Sequence, residues 1–378
     1  MYGAGSIGRG FIGQILHDSG YQVVFVDVNA KIVDTLNKEG RYTQVIVGNG
    51  KTAERIIDNV RAVDGKDTES VLTEIADCDL MAVSVGASVV RKIIPLIAEG
   101  LSKRMQQPIR RPLNILICEN IKSAHIVLRD MLCSAPGFDA GYLDDIGLVR
   151  TTLGRMVPVM SNDMPESDPV KIVVEPFCEL PIDKDAFVGK IPELVNTVAF
   201  SPFEFFEDKK LLIHNMGHAT AAYLGNLKGY TYVWESMDDP EVFSLTKTAM
   251  TQVALALEKE YAANGEELSA HVDDLLFRFG NKMLGDTVER VGRDPMRKLH
   301  FDDRFTGAVN KCKINGITYT PILSGIAAAL RYRNNDDPSA VQMNDEIQKQ
   351  GLTAFLQNWC RLSDSDAEKC RTIYEAIS

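Results

Sequence analysis

The chain has 378 residues, 45% of them hydrophobic and 25% charged, so it is long enough for two domains with substantial cores. Its net charge of -11 argues against nucleic acid or an anionic membrane surface as the main partner. No run approaches the roughly 18 apolar residues of a membrane span, and the first residues do not resemble a signal peptide. Seven scattered cysteines in apolar surroundings predict free thiols, and hence a reducing compartment such as the cytoplasm.

A glycine-rich turn opens the chain. It reads Gly3-Ala4-Gly5-Ser6-Ile7-Gly8 and is followed by a predicted helix over residues 9–19 and an apolar strand over residues 21–26. In a dinucleotide-binding turn the first glycine permits the sharp bend, the second lets the backbone approach the pyrophosphate, and the third lets helix pack on strand. The helix N-terminus then faces the negative charge. This pattern predicts a dinucleotide site.

Asp27 ends the apolar strand that follows this turn. A carboxylate in that place can accept both ribose hydroxyls of the cofactor and repel a 2′-phosphate, which favours NAD over NADP. The alternative is an aspartate that starts a turn before Asn29.

The strand that normally precedes such a turn is short here, because only Met1 and Tyr2 stand before Gly3. Either the sequence starts a few residues too late, or most of the first, central strand is lost; in the second case we expect two sheet edges to be exposed inside the domain. Cofactor binding would then be weakened.

Further strands are predicted over residues 43–47, 80–85, 113–117 and 172–177, with helices over 68–76 and 87–99 between them. Ligands of open α/β sheets bind beyond the carboxyl ends of the strands. The residues expected to line a cofactor cleft on that ground are Ser84, Val85, Gly86, Glu119 and Asn120. Ordinary loop chemistry at strand ends is the alternative.

After about residue 195 the hydrophobic period becomes helical almost throughout. Helix starts are predicted at Asp239-Pro240, Ser269, Pro321, Pro338 and Ser363. The predicted fold is an α/β Rossmann-type N-terminal domain over residues 1–195 plus an all-α C-terminal domain over residues 196–378, with the active site between them.

The segment KLLIHNMGHATAAYLG, residues 210–225, carries Lys210, Asn215 and His218 on an otherwise apolar helix. At about 100° per residue, Asn215 and His218 lie roughly 140° and 80° around from Lys210, so all three can face one cleft. A core helix with a snorkelling lysine and a satisfied histidine is the plain alternative. A metal site on His214 and His218 is another, although no further ligand follows at suitable spacing.

The spacing Lys-x4-Asn-x2-His of Lys210, Asn215 and His218 resembles the signature of the long-chain polyol dehydrogenases. These are metal-independent enzymes that interconvert sugar alcohols and ketoses. The resemblance implies that Lys210 is the general base and that His218 orients a substrate hydroxyl. Cys-Glu-Asn, ending at Asn120, matches the same family, which implies that Asn120 and Asn215 stabilise the developing alkoxide.

Residues 148–158, LVRTTLGRMVP, resemble the Val-Asp-Arg-Ile-Val-Pro segment of that family, with Gly154 in place of the aspartate. Arg155 is then either a substrate contact or a surface arginine.

Residues 288–304 gather several cations, among them Arg293, Arg297 and Lys298, with acidic residues that nearly cancel their charge. A solvated, internally paired segment is one interpretation. The run VERVGRDPMRKL, residues 288–299, together with residues 324–329 and the Asp336-Asp337-Pro338 turn, resembles members of the family that act on sugar phosphates. The resemblance implies that Arg293, Arg297 and Lys298 bind phosphate.

The activity that the resemblance implies is NAD-dependent, metal-independent hydride transfer between a sugar-alcohol phosphate and a ketose phosphate, by a monomer or a dimer. Two alternatives stay open. One is a hexuronate reductase of the same family, acting on fructuronate or tagaturonate through the same cations. The other is a sensor that binds NAD without catalysis.

Overall fold

The structure is a computed structural model and describes residues 1–48, 50–158 and 168–377. It divides into two compact units, Met1–Glu204 and Phe205–Ser378. The division lies beyond the predicted boundary near residue 195 because the strand Thr197–Phe200 pairs with Leu180–Asp183 and so belongs to the first unit.

The first unit is an α/β domain. Its strands are β1 Val23–Asp27, β2 Tyr42–Gly48, β3 Lys51–Ile57, β4 Val60–Asp64, β5 Met81–Val83, β6 Leu113–Ile117, β7 Ile146–Arg150, β8 Ile172–Val174, β9 Leu180–Asp183 and β10 Thr197–Phe200. Its helices are Gly8–Ile12 (π), Gly13–Asp18, Ala30–Glu39, Thr68–Asp77, Ala87–Met105, Ala124–Cys133, Ala140–Asp145 (3₁₀) and Lys184–Ala186 (3₁₀). The helix predicted over residues 9–19 is therefore present, but its first turn is widened.

The main sheet is parallel and runs in the order β4, β1, Met1-Tyr2, β5, β6, β7. One apolar cluster, which includes Phe11, Ile15 and Phe25, covers one face of this sheet, and another, which includes Ile94 and Ile115, covers the other. The order and the helices on both faces are those of a Rossmann-type domain, as predicted. Smaller sheets, β3-β2-β8 and β10-β9, flank it.

The second unit, over the described residues 205–377, is built of helices and contains no strand beyond one bridge between Tyr232 and Thr287. The helix Glu204–Asp208 leads into it. The helices that follow are Lys209–Asn215 (π), Met216–Leu227, Val233–Asp238, Pro240–Tyr261, Gly265–Phe279, Lys282–Leu284 (3₁₀), Val288–Gly292, Pro295–Lys298, Arg304–Ile314, Thr320–Leu330, Pro338–Gln350, Leu352–Asn358 and Asp364–Ala376. The predicted all-α C-terminal domain is confirmed.

Helix starts in this unit mostly follow the capping chemistry of the sequence. Asp239 accepts the backbone N–H groups of Glu241 and Val242, and Ser363 caps the last helix. The predicted start at Ser269 is wrong, because Asn264 already caps that helix by accepting the N–H of Glu266.

None of the helices built from the described residues is long and apolar enough to cross a membrane. The cysteines are free, as predicted; Cys118, Cys312, Cys360 and Cys370 are buried.

Met1 and Tyr2 occupy the central position of the main sheet, which corrects the expectation of exposed edges there. The N–H of Tyr2 donates to Ala82 O (2.7 Å) and Tyr2 O accepts from Ser84 N (2.9 Å). On the other side, Met1 O accepts from Val26 N (2.9 Å). Two residues therefore join the two halves of the sheet.

Beyond the Met1 amino group, a slot of about 300 Å³ separates β1 from β5. The Met1 ammonium donates to Val24 O (2.8 Å) at its mouth. Because the N–H and C=O of one strand residue point to the same side, the N–H groups of Val24 and Ala82 also face the slot. Its walls include Leu16, Tyr21, Ile75, Cys78 and Leu80.

An extension of three or four apolar residues before Met1 should therefore raise the melting temperature by a few degrees. The added backbone would pair with both strands, at about 0.5–1.5 kcal/mol per hydrogen bond, and would replace an ammonium whose pKa burial lowers. Calorimetry checks the melting temperature. Mass-spectrometric thiol labelling should show Cys78 protected, while the exposed Cys133 labels as before.

The matched control is an extension of equal length made of glycine and serine. If both extensions gave the same melting temperature and the same labelling of Cys78, the slot would not be a strand site.

Candidate active site

The glycine turn that follows Tyr2 has the geometry of a dinucleotide loop. Gly3 has φ +96°, and a Cβ added there would lie 2.2 Å from Ser84 O; a Cβ at Gly8 would lie 2.0 Å from Gly3 O. Both positions therefore require glycine for the close packing of loop, helix and strand. A Cβ at Gly5 would meet nothing within 4 Å. Packing does not demand glycine at that position, so the open space there fits a ligand that approaches the backbone.

Asp27 lies beside the glycine turn and also starts the turn that follows its strand. Its Oδ2 accepts the N–H of Ala4 (2.8 Å), and its Oδ1 accepts the N–H of Asn29 (2.9 Å). The carboxylate thus braces the loop that would hold the pyrophosphate. The two roles considered for Asp27 are compatible, since one residue both makes the turn and faces the loop.

The loop after β5 is held from the end of β6. Glu119 is buried, and its carboxylate accepts the N–H groups of Val85 (2.6 Å) and Gly86 (3.0 Å). Burial raises the pKa of Glu119, and these two hydrogen bonds, which act in the opposite direction, do not outweigh it. Glu119 therefore fixes the path of residues 84–86. The next residue, Asn120, is exposed, and its side chain makes no hydrogen bond within the described residues.

Arg155 lies in the core of the first unit. It is 4% exposed, and its guanidinium donates to Glu175 O (2.7 and 3.0 Å), Gly10 O (2.8 Å) and Gln14 Oε1 (2.7 Å). These acceptors orient the guanidinium without the aspartate that Gly154 replaces. Arg155 ties the first helix to the residue that follows strand β8, so its contacts within the described residues are packing contacts.

In the second unit, Lys210 and Asn215 lie in a π-helical turn, Lys209–Asn215, which continues into the α-helix Met216–Leu227. A π-turn closes with i→i+5 hydrogen bonds. Two residues that are five apart, such as Lys210 and Asn215, therefore lie on one face of the π-turn. In an α-helix the same two residues would lie roughly 140° apart around the axis. His218 follows Asn215 by three residues on the same face of the α-helix. All three residues are half-buried, and Asn215 makes no side-chain hydrogen bond to a described residue.

His218 is held by residues from two other elements. Its Nε2 lies 2.9 Å from Oδ2 of Asp286, a close polar contact outside the angular range of a regular hydrogen bond. Its ring stacks on Phe279, with centroids 4.6 Å apart and planes 8° apart. Arg290 Nε in turn donates to Oδ1 of Asp286 (2.7 Å). Asp286 is buried, which raises its pKa, but pairing with His218 and Arg290 outweighs burial and leaves the pKa lowered.

Lys210 faces other titratable groups of the second unit. His214 is 3% exposed, and burial together with the charges of Lys210 and Arg278 lowers its pKa well below the ordinary value. Burial, together with the charges of Lys209, Arg278 and Lys210, also lowers the pKa of His271. Both rings are therefore neutral near pH 7. Among the described residues, no group of three or more His, Cys, Asp or Glu side chains is placed to hold a metal ion.

The cationic segment is partly paired and partly not. Arg297 is exposed and donates to Asp294 (2.7 Å), and Arg304 donates to Asp303 (2.8 Å). Lys298 is 4% exposed and forms no ion pair within the described part of the chain. Burial, with the nearby charges of Arg304 and Arg297, lowers the pKa of Lys298 to about 7. A buried ammonium beside two arginines fits an anion better than a solvated face.

Arg293 is exposed, and its side chain also forms no ion pair with any described residue. The backbone around this segment is braced from a distant turn. Asp337 accepts the N–H of Asp294 (2.8 Å), and Ser339 accepts the N–H of Met296 (3.0 Å). The segment thus keeps a fixed shape.

Sequence reasoning missed Asp286 and Phe279. Asp286 stands two residues before a short helix, where an aspartate is expected to act as a cap. Thr287 performs that function by accepting the N–H of Arg290 (3.1 Å), which leaves the Asp286 carboxylate for His218. Phe279 looks like any apolar residue at a helix end.

Comparison with protein families covers both units. Residues 1–196 match the model described as the mannitol dehydrogenase Rossmann domain, and residues 203–378 match the mannitol dehydrogenase C-terminal domain. A mannitol-1-phosphate 5-dehydrogenase from Bacillus licheniformis is 37% identical over 366 residues, which is 96% of this chain and 95% of that protein.

Two solved structures have the same fold. A D-sorbitol dehydrogenase in substrate-free form superposes with a TM-score of 0.83 and 18% identity, covering 100% of this chain and 92% of that one. Mannitol 2-dehydrogenase of Pseudomonas fluorescens, in a ternary complex with NAD and D-mannitol, gives a TM-score of 0.77 and 18% identity, covering 99% and 90%.

Proposed function

Because the chain belongs to the mannitol dehydrogenase family, we propose that it interconverts mannitol 1-phosphate and fructose 6-phosphate by hydride transfer with NAD. The observation that carries the proposal is the π-turn that places Lys210 and Asn215 on one helix face, with His218 three residues beyond. The name of the Bacillus licheniformis relative supports the substrate.

The glycine turn and its neighbours fit NAD. Open space at Gly5 would admit the pyrophosphate, and the Asp27 carboxylate at the end of β1 would accept the ribose hydroxyls. Glu119 would keep the loop of residues 84–86 in place beside the cofactor. When bound, NAD supplies the acceptor for the hydride.

Lys210 would accept the proton of the substrate hydroxyl during oxidation and return it during reduction. The neutral rings of His214 and His271 add no positive charge beside Lys210 near pH 7. Asn215 would donate a hydrogen bond to the oxygen on which negative charge develops, and the family resemblance implies the same role for Asn120. His218 would orient a neighbouring hydroxyl. Each role falls to a side chain, and no metal is part of the proposal.

The phosphate would bind at Lys298, with Arg293 and Arg297. A dianion would compensate the buried ammonium of Lys298, which forms no ion pair within the described part of the chain. Arg297 already pairs with Asp294, so we expect it to contribute less than Lys298.

The proposed substrate and cofactor can be tested with one panel of assays. We expect NADH oxidation to be fastest with fructose 6-phosphate and slower by orders of magnitude with fructose, fructuronate and tagaturonate. NADPH should be the poorer cofactor, and Asp27→Ser should narrow that preference. Fastest turnover with a hexuronate would assign the reductase activity instead. Binding of NADH without turnover of any of the four compounds would indicate a sensor.

Lys210→Ala should lower kcat by about 10² to 10⁴, because a general base contributes to the chemical step, while NADH still binds. In the wild type, the oxidation rate should rise with pH, since only the unprotonated amine accepts a proton, and this rise should vanish in the variant. Added small amines should restore part of the activity. Steady-state kinetics and NADH titration check these outcomes.

Lys209→Ala is the matched control, because Lys209 is the neighbouring lysine in the same π-turn. If Lys210→Ala lowered the melting temperature and left the turnover of the folded fraction intact, Lys210 would be a core residue and not the base.

Lys298→Met should lower kcat/KM for fructose 6-phosphate about ten- to a hundredfold, the effect of losing a charge-assisted hydrogen bond of about 1.5–3 kcal/mol. Its pKa of about 7 also sets a pH dependence. Below pH 7 the side chain already carries the proton that an anion needs; above pH 7 binding must take up that proton. Affinity for the sugar phosphate should therefore fall between pH 7 and 9.

Calorimetric titration at several pH values measures this fall, which should be absent in Lys298→Met. The exposed Lys349→Met serves as control. An unchanged kcat/KM in Lys298→Met would remove this residue from the phosphate site.

A further inference from the structure

The close contact between His218 and Asp286 determines which ring nitrogen of His218 is available to a substrate. Nε2 of His218 is fully enclosed, and the Asp286 carboxylate is its closest polar neighbour at 2.9 Å. A buried ring nitrogen beside an ionised carboxylate carries a proton, because two lone pairs would otherwise face each other. The other nitrogen, Nδ1, then carries the lone pair.

Arg290 determines which oxygen of the Asp286 carboxylate contacts His218. Its Nε donates to Oδ1 (2.7 Å), and a second guanidinium nitrogen contacts the same oxygen. Oδ1 is thereby committed to Arg290, which leaves Oδ2 for His218. The stacked ring of Phe279 stops the imidazole from tilting away. His218 comes from the helix Met216–Leu227, Asp286 from the segment just before the helix Val288–Gly292, and Arg290 from that helix itself.

We propose that Asp286 is a positioning residue that holds the proton of His218 on Nε2, so that Nδ1 accepts a hydrogen bond from a substrate hydroxyl. His218 then selects for a hydroxyl and against an acceptor, such as a carbonyl oxygen, at the substrate carbon it faces. The hydrogen bond from a substrate hydroxyl to Nδ1 rests on the proposed function. The assignment of the tautomer does not rest on it.

Replacement of Asp286 by asparagine tests this inference because Arg290 fixes the direction of the new amide. Arg290 requires an acceptor, so the amide oxygen of Asp286→Asn stays on Oδ1 and its NH₂ group turns toward His218. The NH₂ group donates to Nε2 and forces the ring proton onto Nδ1, as an amide does in other His–Asp pairs. The variant should therefore invert the tautomer while it conserves the shape of the site.

Nitrogen-15 NMR of histidine-labelled protein at pH 8.5 measures the tautomer directly. The chain has six histidines, and His218→Asn identifies the signals of His218. We expect a protonated Nε2 in the wild type and a protonated Nδ1 in Asp286→Asn. A wild-type ring protonated on Nδ1, or on both nitrogens, overturns the proposal, as does an unchanged tautomer in the variant. If the variant does not fold, the wild-type spectrum still decides.

Kinetics then test the consequence for the substrate. Asp286→Asn should lower kcat/KM for fructose 6-phosphate roughly ten- to a hundredfold and leave NADH affinity unchanged. The double variant Asp286→Asn/His218→Asn should have the same kcat/KM as His218→Asn alone. Additive losses would show that Asp286 acts otherwise than through His218. Full activity of His218→Asn would instead refute the role of His218 in the proposed function. The NMR spectra would still show whether Asp286 sets the tautomer of His218, so the two conclusions are tested separately.

Discussion

The backbone hydrogen bonds of Met1 and Tyr2 hold the N-terminal unit together. They join the β4-β1 pair to the β5-β6-β7 set, and the glycine turn begins at the next residue. Gly3 can make its bend because Tyr2 is fixed on both sides, and Ser84, which receives the close approach of Gly3, is bonded to Tyr2 as well. The shape of the cofactor loop therefore depends on two residues at the start of the chain.

A similar dependence is found in the C-terminal unit, where side chains that we propose to act on the substrate are oriented by residues outside their own sequence motif. His218 is oriented by Asp286 and Phe279, and Asp286 by Arg290. The cationic segment is braced from residues 337–339. The motif Lys-x4-Asn-x2-His contains the side chains that we propose to act on the substrate, while residues of neighbouring elements fix the orientation of His218.

Much of the fold could be predicted from the sequence, because hydrophobic period and helix caps act locally. The strand β6 and the cap at Asp239 are found where the pattern places them. The widened turn over Lys209–Asn215 could not be predicted, since an α-helical period accommodates the same apolar residues. Arg155 shows a second limit: its acceptors, Gly10 and Glu175, lie far from it in sequence, so a core guanidinium cannot be told from a substrate contact.

Lys298 shows a third limit. In sequence it is one cation among several with acidic neighbours, and charge counting predicts a solvated segment. In the structure this ammonium is buried, while Arg297 and Arg304 pair with Asp294 and Asp303. Burial is a property of the packed chain, so the member of the cluster that is available to an anion could not be identified from composition.

The π-turn also restricts how this chain can vary in length. A π-turn contains one more residue per turn than an α-helix, so deleting a single residue between Lys210 and Asn215 would restore a regular α-helix at that point. The two residues would then stand four apart and still share a face. An insertion would instead separate them by a further residue and turn one of them away. The segment is therefore expected to tolerate the loss of one residue better than the gain of one, although the lysine would change its height along the helix.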